Sequence, residues 1–168
     1  RQLQMVARMV AAGQGMGMRR QVFMVNMNGF DTHANQMRDQ PSLMTRAALS
    51  IDYFLSTLAS IGMLNNVTLF TASEFGRALM SNGAGCDHGW GSHHLVAGGM
   101  VAGSTIHGQF PDLAAGSADD VGSGRLLPSA SVTQFAAPLG RWLGLSATEL
   151  SAVLPGLANF DAQALRFL

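Results

Sequence analysis

Lysine is absent from this chain, and all ten basic residues are arginine. That excludes Schiff-base chemistry and a lysine clamp on phosphate. Glutamate occurs only at Glu74 and Glu149, so a glutamate inside a motif stands out from the surface background. The single cysteine, Cys86, can close no disulfide within the chain. Ten arginines balance ten acidic residues to a formal net charge of zero. The chain therefore carries no electrostatic footprint for nucleic acid or an anionic membrane. No segment reaches the roughly 18 continuous apolar residues of a membrane span.

What is present is apolar: 48% of 168 residues, enough to bury the core of one domain or of part of a larger one. The eleven methionines read as core filler rather than as a metal-binding stripe. The chain opens on Arg1-Gln2-Leu3, inside an amphipathic helix pattern. The expectation is a longer protein whose N-terminal half, with any targeting signal, lies outside these residues.

Leu3, Val6 and Val10 recur at helical spacing until a glycine-rich run at 13–17. Residues 21–27 (Gln-Val-Phe-Met-Val-Asn-Met) read as a buried strand. Residues 42–62 predict a long helix with Ser42 as N-cap, and Leu43, Ala47, Ile51, Phe54, Leu55 and Leu58 on one face. Residues 67–71 predict a second buried strand. Strand, helix, strand is a βαβ unit, which implies a parallel sheet covered on both faces. Its C-terminal edge would gather Asp31, His33 and Glu74, because each follows a strand. Leu95-Val96-Ala97 is a further short strand, and residues 103–130 a long irregular excursion whose length implies a functional or partly mobile loop. Residues 131–143 predict a helix, and Ser146-Ala147-Thr148-Glu149 is a capping box opening a last short one.

The chemistry concentrates in three places. Gly85-Cys86-Asp87-His88-Gly89-Trp90-Gly91-Ser92-His93-His94 holds three of the five histidines in a glycine-rich setting. Asp31-Thr32-His33 and Ser73-Glu74-Phe75-Gly76-Arg77 lie upstream. Imidazole and carboxylate ligate divalent metals, and glycine lets the backbone bring such groups together. Alone, Asp-x-His is equally an Asx-turn with an exposed histidine. Arg77 suits either an anionic group or a structural carboxylate. His93 and His94 are adjacent, so in an extended segment they point to opposite sides. His107 reads as a surface residue in a turn. Cys86 has no basic neighbour or helix terminus to activate it, and no serine sits in a Gly-x-Ser-x-Gly elbow.

Gly29-Phe30-Asp31-Thr32-His33, Ser73-Glu74-Phe75-Gly76-Arg77 and Asp87-His88-Gly89-Trp90-Gly91, in that order, resemble the domain-of-unknown-function 1501 family. The closing Pro155-Gly156-Leu157-Ala158-Asn159-Phe160 is similar to that family's C-terminus. The resemblance implies an exported bacterial protein, commonly with a twin-arginine signal, in the alkaline-phosphatase-like and sulfatase-like superfamily. It implies a three-layer α/β/α sandwich with a mostly parallel sheet, of which this chain is the C-terminal portion. Asp31, His33, Glu74, Asp87 and His88 would then bind one or two divalent metals, with zinc or manganese favoured over calcium or magnesium. Arg77 or His94 would orient a small anionic substrate, a phosphate or sulfate ester. Glu74 stands where the superfamily has aspartate and Phe75 where it has histidine. The superfamily's nucleophile comes from the N-terminal half, so the nucleophile and the rest of the domain are expected outside this chain. The rival expectation is a non-catalytic exported protein with a degenerate metal site, serving envelope assembly or protein binding.

Overall fold

A computed structural model describes residues 1–168. Two helices open the chain. Helix α1 (Gln2–Gly15) turns Val6, Ala7, Val10 and Gly13 inward, and α2 (Gln36–Ser60) turns in Leu43, Phe54 and Leu58. Helix α2 begins at Gln36 rather than at Ser42. Asn35 holds the N-cap position in the left-handed region (φ 57°) with no side-chain cap. The carbonyl of Ala84, far along the chain, accepts the Gln36 N–H at 3.2 Å. A tertiary contact thus satisfies a helix-end donor that a local cap usually takes. Ser42 sits inside the helix and donates its hydroxyl to the Asp39 carbonyl at 2.9 Å.

The parallel sheet is overturned, and the three-layer sandwich with it. The only strands are β1 (Thr68–Phe70), β2 (Gly76–Ser81), β3 (Cys86–Gly89) and β4 (Val96–Gly98). They form two antiparallel pairs, β1 with β4 and β2 with β3. Residues 21–27 join neither pair. Phe23 packs into the helical cluster, while the Gln2 side chain of α1 takes both backbone groups of Asn26. An apolar run of this length fits a buried strand and a segment lying along a helix equally well. The histidine-rich stretch, read as a loop, instead supplies strand β3 of a hairpin. Its signal was Asn82-Gly83, turn-forming residues that open the four-residue connection between the strands.

The chain divides into two compact units, the first comprising Arg1–Phe70, Leu79–Asp87 and Ala97–Met100. Its core is Val6, Ala7, Val10, Phe54 and Leu58, with Leu3, Phe23, Met63, Leu64, Val67 and Leu69 packed against it. The second unit comprises Thr71–Ala78, His88–Val96 and Val101–Leu168. Here α3 (Val132–Trp142) and α4 (Ala147–Val153) both open on complete capping boxes, at Ser131 with Gln134 and at Ser146 with Glu149. The second is the one the sequence announced. Ala137, Leu150, Leu157, Leu165 and Phe167 are buried in this unit. The irregular excursion at 103–130 holds no helix or strand beyond an isolated bridge between Asp120 and Leu126.

Leu58 is fully buried. Leu58→Ala is expected to lower the unfolding free energy by about 2–5 kcal/mol through lost burial and a cavity, read as a shifted midpoint in urea denaturation.

Candidate metal and anion site

In the first unit, the segment after residues 21–27 and the tip of the β2–β3 hairpin are built onto each other. Asp31 and His33 form a close pair, with His33 Nδ1 2.8 Å from Asp31 Oδ1. Thr32 between them is buried, and its hydroxyl lies 3.4 Å from Gln40 Oε1 on α2. The tip meets this segment at Gly85, where a side chain would collide with the carbonyls of Thr32 and His33. Glycine is required there for close approach.

Asn82 completes the join, and its amide uses all four of its hydrogen-bonding positions. Its Oδ1 accepts the N–H groups of Ala84 (3.1 Å) and Gly85 (2.8 Å), which shapes the tip. Its Nδ2 donates to the His33 carbonyl (3.1 Å) and to Asp87 Oδ1 (3.2 Å). One side chain therefore ties the Asp-x-His segment to Asp87. Sequence reading missed Asn82 because an amide carries no acid–base or strong ligand signal.

The second unit holds the other sequence-singled residues. His88 stacks face to face on Phe75, ring centroids 3.6 Å apart and planes 8° from parallel. A histidine's lone pair lies in the plane of its ring, so a face-on stack fixes the ring without covering its coordinating edge. Phe75, standing at an expected ligand position, supplies this support instead. The Arg77 guanidinium lies over the same phenyl ring at 5.8 Å, a cation–π contact. Glu74 is exposed. Gly76 is obligatory, because any side chain there would strike the Gly91 carbonyl.

The long excursion reaches this region with a residue the sequence did not flag. Arg125 donates from Nε to the His88 carbonyl at 3.3 Å and from a terminal nitrogen to Gly122. The neighbouring Leu126 carbonyl accepts the Gly91 N–H at 2.9 Å. Asp120 shapes the loop that delivers them, its carboxylate accepting N–H groups from Gly116, Gly122 and Gly124 at 2.8–3.1 Å. These backbone donors, Gly116 first, hold its pKa below the ordinary carboxylate value.

The remaining histidines separate. His93 stacks on Phe110 (4.7 Å), whereas His94 packs near Phe135 (5.7 Å) with Nδ1 3.3 Å from the Thr71 hydroxyl. Their different neighbours match the expectation that the two point apart. Desolvation, then the adjacent His93, lowers the His94 pKa. A neutral ring at neutral pH is a poor anchor for an anionic ester. His107 is half-buried rather than on the surface, its Nε2 2.9 Å from the Ala102 carbonyl and its ring edge-on to Phe167.

Two small antiparallel sheets among helices, with an aspartate–histidine loop braced by a hairpin, define an α+β chain whose polar motifs lie partly in connections and partly in strands β2 and β3. The chain matches the family described as a protein of unknown function (DUF1501) over residues 2–154, and it belongs to that family. No curated protein and no solved structure matches it. No helix is long and apolar enough to cross a membrane.

Two outcomes follow. Gly85→Ala forces the tip away from Thr32 and His33 and should cost about 1–3 kcal/mol of stability, measured by urea denaturation. For His94, a folded pKa below the unfolded value means that the unfolded chain binds more protons between the two. Stability then falls as pH drops below about 6.5, levelling off under the folded pKa. His94→Asn should flatten that part of a melting-temperature profile recorded against pH.

Proposed function

We propose that this chain carries the metal-binding part of a divalent-metal-dependent hydrolase acting on a phosphate or sulfate ester. The observation that carries the reading is the Asp31–His33 pair at 2.8 Å, braced through Asn82 to Asp87. Asp31 and His33 offer an oxygen and a nitrogen donor, and with Asp87 added from the family motifs they make a mixed set that suits zinc or manganese and also admits calcium or magnesium. The Asp31 contact favours the tautomer with Nδ1 protonated, which puts the coordinating lone pair on Nε2. His88 and Glu74 enter the ligand set from the family motifs, and Arg77 is assigned to the anionic group of the substrate. A bound metal of this kind supplies Lewis-acid stabilisation of developing negative charge. What the chain itself contributes is orientation. Asn82 sets the direction of Asp87, Asp31 sets the His33 ring, and Phe75 sets the plane of His88. Location in the periplasm or outside the cell belongs to the same proposal.

Phe75 favours a second reading, a non-catalytic exported protein that binds another protein and has lost part of a metal centre. Its ring occupies a place where a further ligand would be expected.

Elemental analysis after dialysis at neutral pH separates the two. The hydrolase reading expects stoichiometric divalent metal in the parent, lost as pH falls because protons compete for the ligand imidazole. His33→Ala should abolish retention, while Asn82→Ala should weaken affinity by about tenfold or more as an outer-shell change. His107→Ala should retain the metal. Equal retention by His33→Ala and His107→Ala, or a parent without metal, supports the non-catalytic reading.

A further inference from the structure

Two asparagine–glycine steps occur in this chain, Asn28-Gly29 and Asn82-Gly83. Asparagine is a thermolabile residue, and its weak point is the next peptide nitrogen, which can attack the side-chain amide carbon. Glycine in the following position has no Cβ to obstruct that approach. The attack also needs a nitrogen released from hydrogen bonding, a side-chain amide free to rotate onto it, and access to water. Both steps are exposed to solvent. They differ in everything else.

At Asn82-Gly83 each reacting group is held. Asn82 Oδ1 accepts from the N–H groups of Ala84 and Gly85, and its Nδ2 donates to the His33 carbonyl and to Asp87. The attacking group is engaged too, since the Gly83 N–H donates to the Ser81 hydroxyl at 3.0 Å. Rotating the amide onto Gly83 would undo the join between the hairpin tip and the Asp31–His33 segment.

At Asn28-Gly29 nothing is held. The pair lies in a stretch without helix, strand or turn, and neither the Asn28 amide nor the Gly29 N–H takes part in a hydrogen bond. The chain is fastened on either side instead, at Asn26 by Gln2 and at Thr32, whose N–H donates to the Phe30 carbonyl. Nor does the fold favour a bulkier, slower neighbour than Gly29. Its φ is 109°, and a Cβ there would come within 3.1 Å of Leu43. The backbone thus demands the residue that leaves Asn28 most open to attack.

We propose that Asn28 is a site of spontaneous deamidation, and that the fold protects Asn82 from the same reaction. The Gly29 nitrogen gives up its proton to solvent and bonds to the Asn28 side-chain carbonyl carbon. The bond from that carbon to the amide nitrogen breaks, and the nitrogen takes up a proton and leaves as ammonia. Water then opens the cyclic imide at either carbonyl, which yields the aspartyl or the isoaspartyl form. Each form adds a negative charge to the segment that leads into Asp31 and His33, and the isoaspartyl form lengthens its backbone by a methylene. The reaction needs neither a metal nor an ester substrate, so it stands apart from the proposed activity.

Incubation of the full chain at mildly alkaline pH and physiological temperature tests this, with far-UV circular dichroism to confirm the fold and peptide mass spectrometry to follow both sites. The Asn28 peptide should convert from amide to acid about tenfold faster than the Asn82 peptide, or more, because freeing Asn82 and Gly83 breaks several hydrogen bonds. Part of the product should accept a methyl group from an isoaspartyl methyltransferase, the mark of the cyclic imide. In urea, with the fold lost, the two peptides should convert at similar rates. Comparable rates in the folded chain overturn the proposal. So does faster loss of Asn82, or a preference for Asn28 that persists unchanged in urea.

Discussion

Gly85 lies so close to the carbonyls of Thr32 and His33 that a methyl group would not fit between them. Much of the first unit's polar organisation depends on that approach. It lets Ala84 cap α2 at Gln36, and it brings Asn82 within reach of both His33 and Asp87. Three backbone groups and one amide side chain thereby join segments about fifty residues apart, as the 49-residue separation of Asn82 from His33 shows. The Asn82 amide is fully engaged at this join.

The second unit uses the same device with different residues. Gly76 admits the Gly91 carbonyl, and Gly91 in turn donates to Leu126. Glycine at these contacts replaces side-chain packing with backbone packing, which leaves neighbouring side chains unencumbered for chemistry. The irregular excursion then has a clear task. Asp120 gathers the loop's amides, and the ordered loop carries Arg125 onto the His88 carbonyl.

The helices and the Ser146 cap were legible in the sequence because they rest on local rules, whereas the start of α2 was not. The periodicity of Leu3, Val6 and Val10 and the Ser146–Glu149 box depend only on residues within a turn or two. The sheets were not legible. Residues 21–27 and 67–71 carry the same apolar signature, yet one lies along α1 and the other pairs with β4. Which partner a strand takes is a long-range question that composition does not answer. The site was legible in its acids and imidazoles and illegible in its supports. Asn82, Phe75 and Arg125 act through an amide, a ring face and a backbone carbonyl, and none of these announces itself by residue type. Ser42 shows the converse, a good capping residue that lies inside a helix and donates to the Asp39 carbonyl.

The Phe75–His88 stack has a spectroscopic side. Protons held above the face of a benzene ring feel its circulating π-electrons as a field opposing the applied one. With centroids 3.6 Å apart and planes 8° from parallel, the carbon-bound protons of the His88 imidazole lie in the shielding region of the Phe75 ring. The protein thus carries a built-in magnetic label at one residue of its candidate site. Any event that tilts or withdraws that ring shifts both of those proton lines.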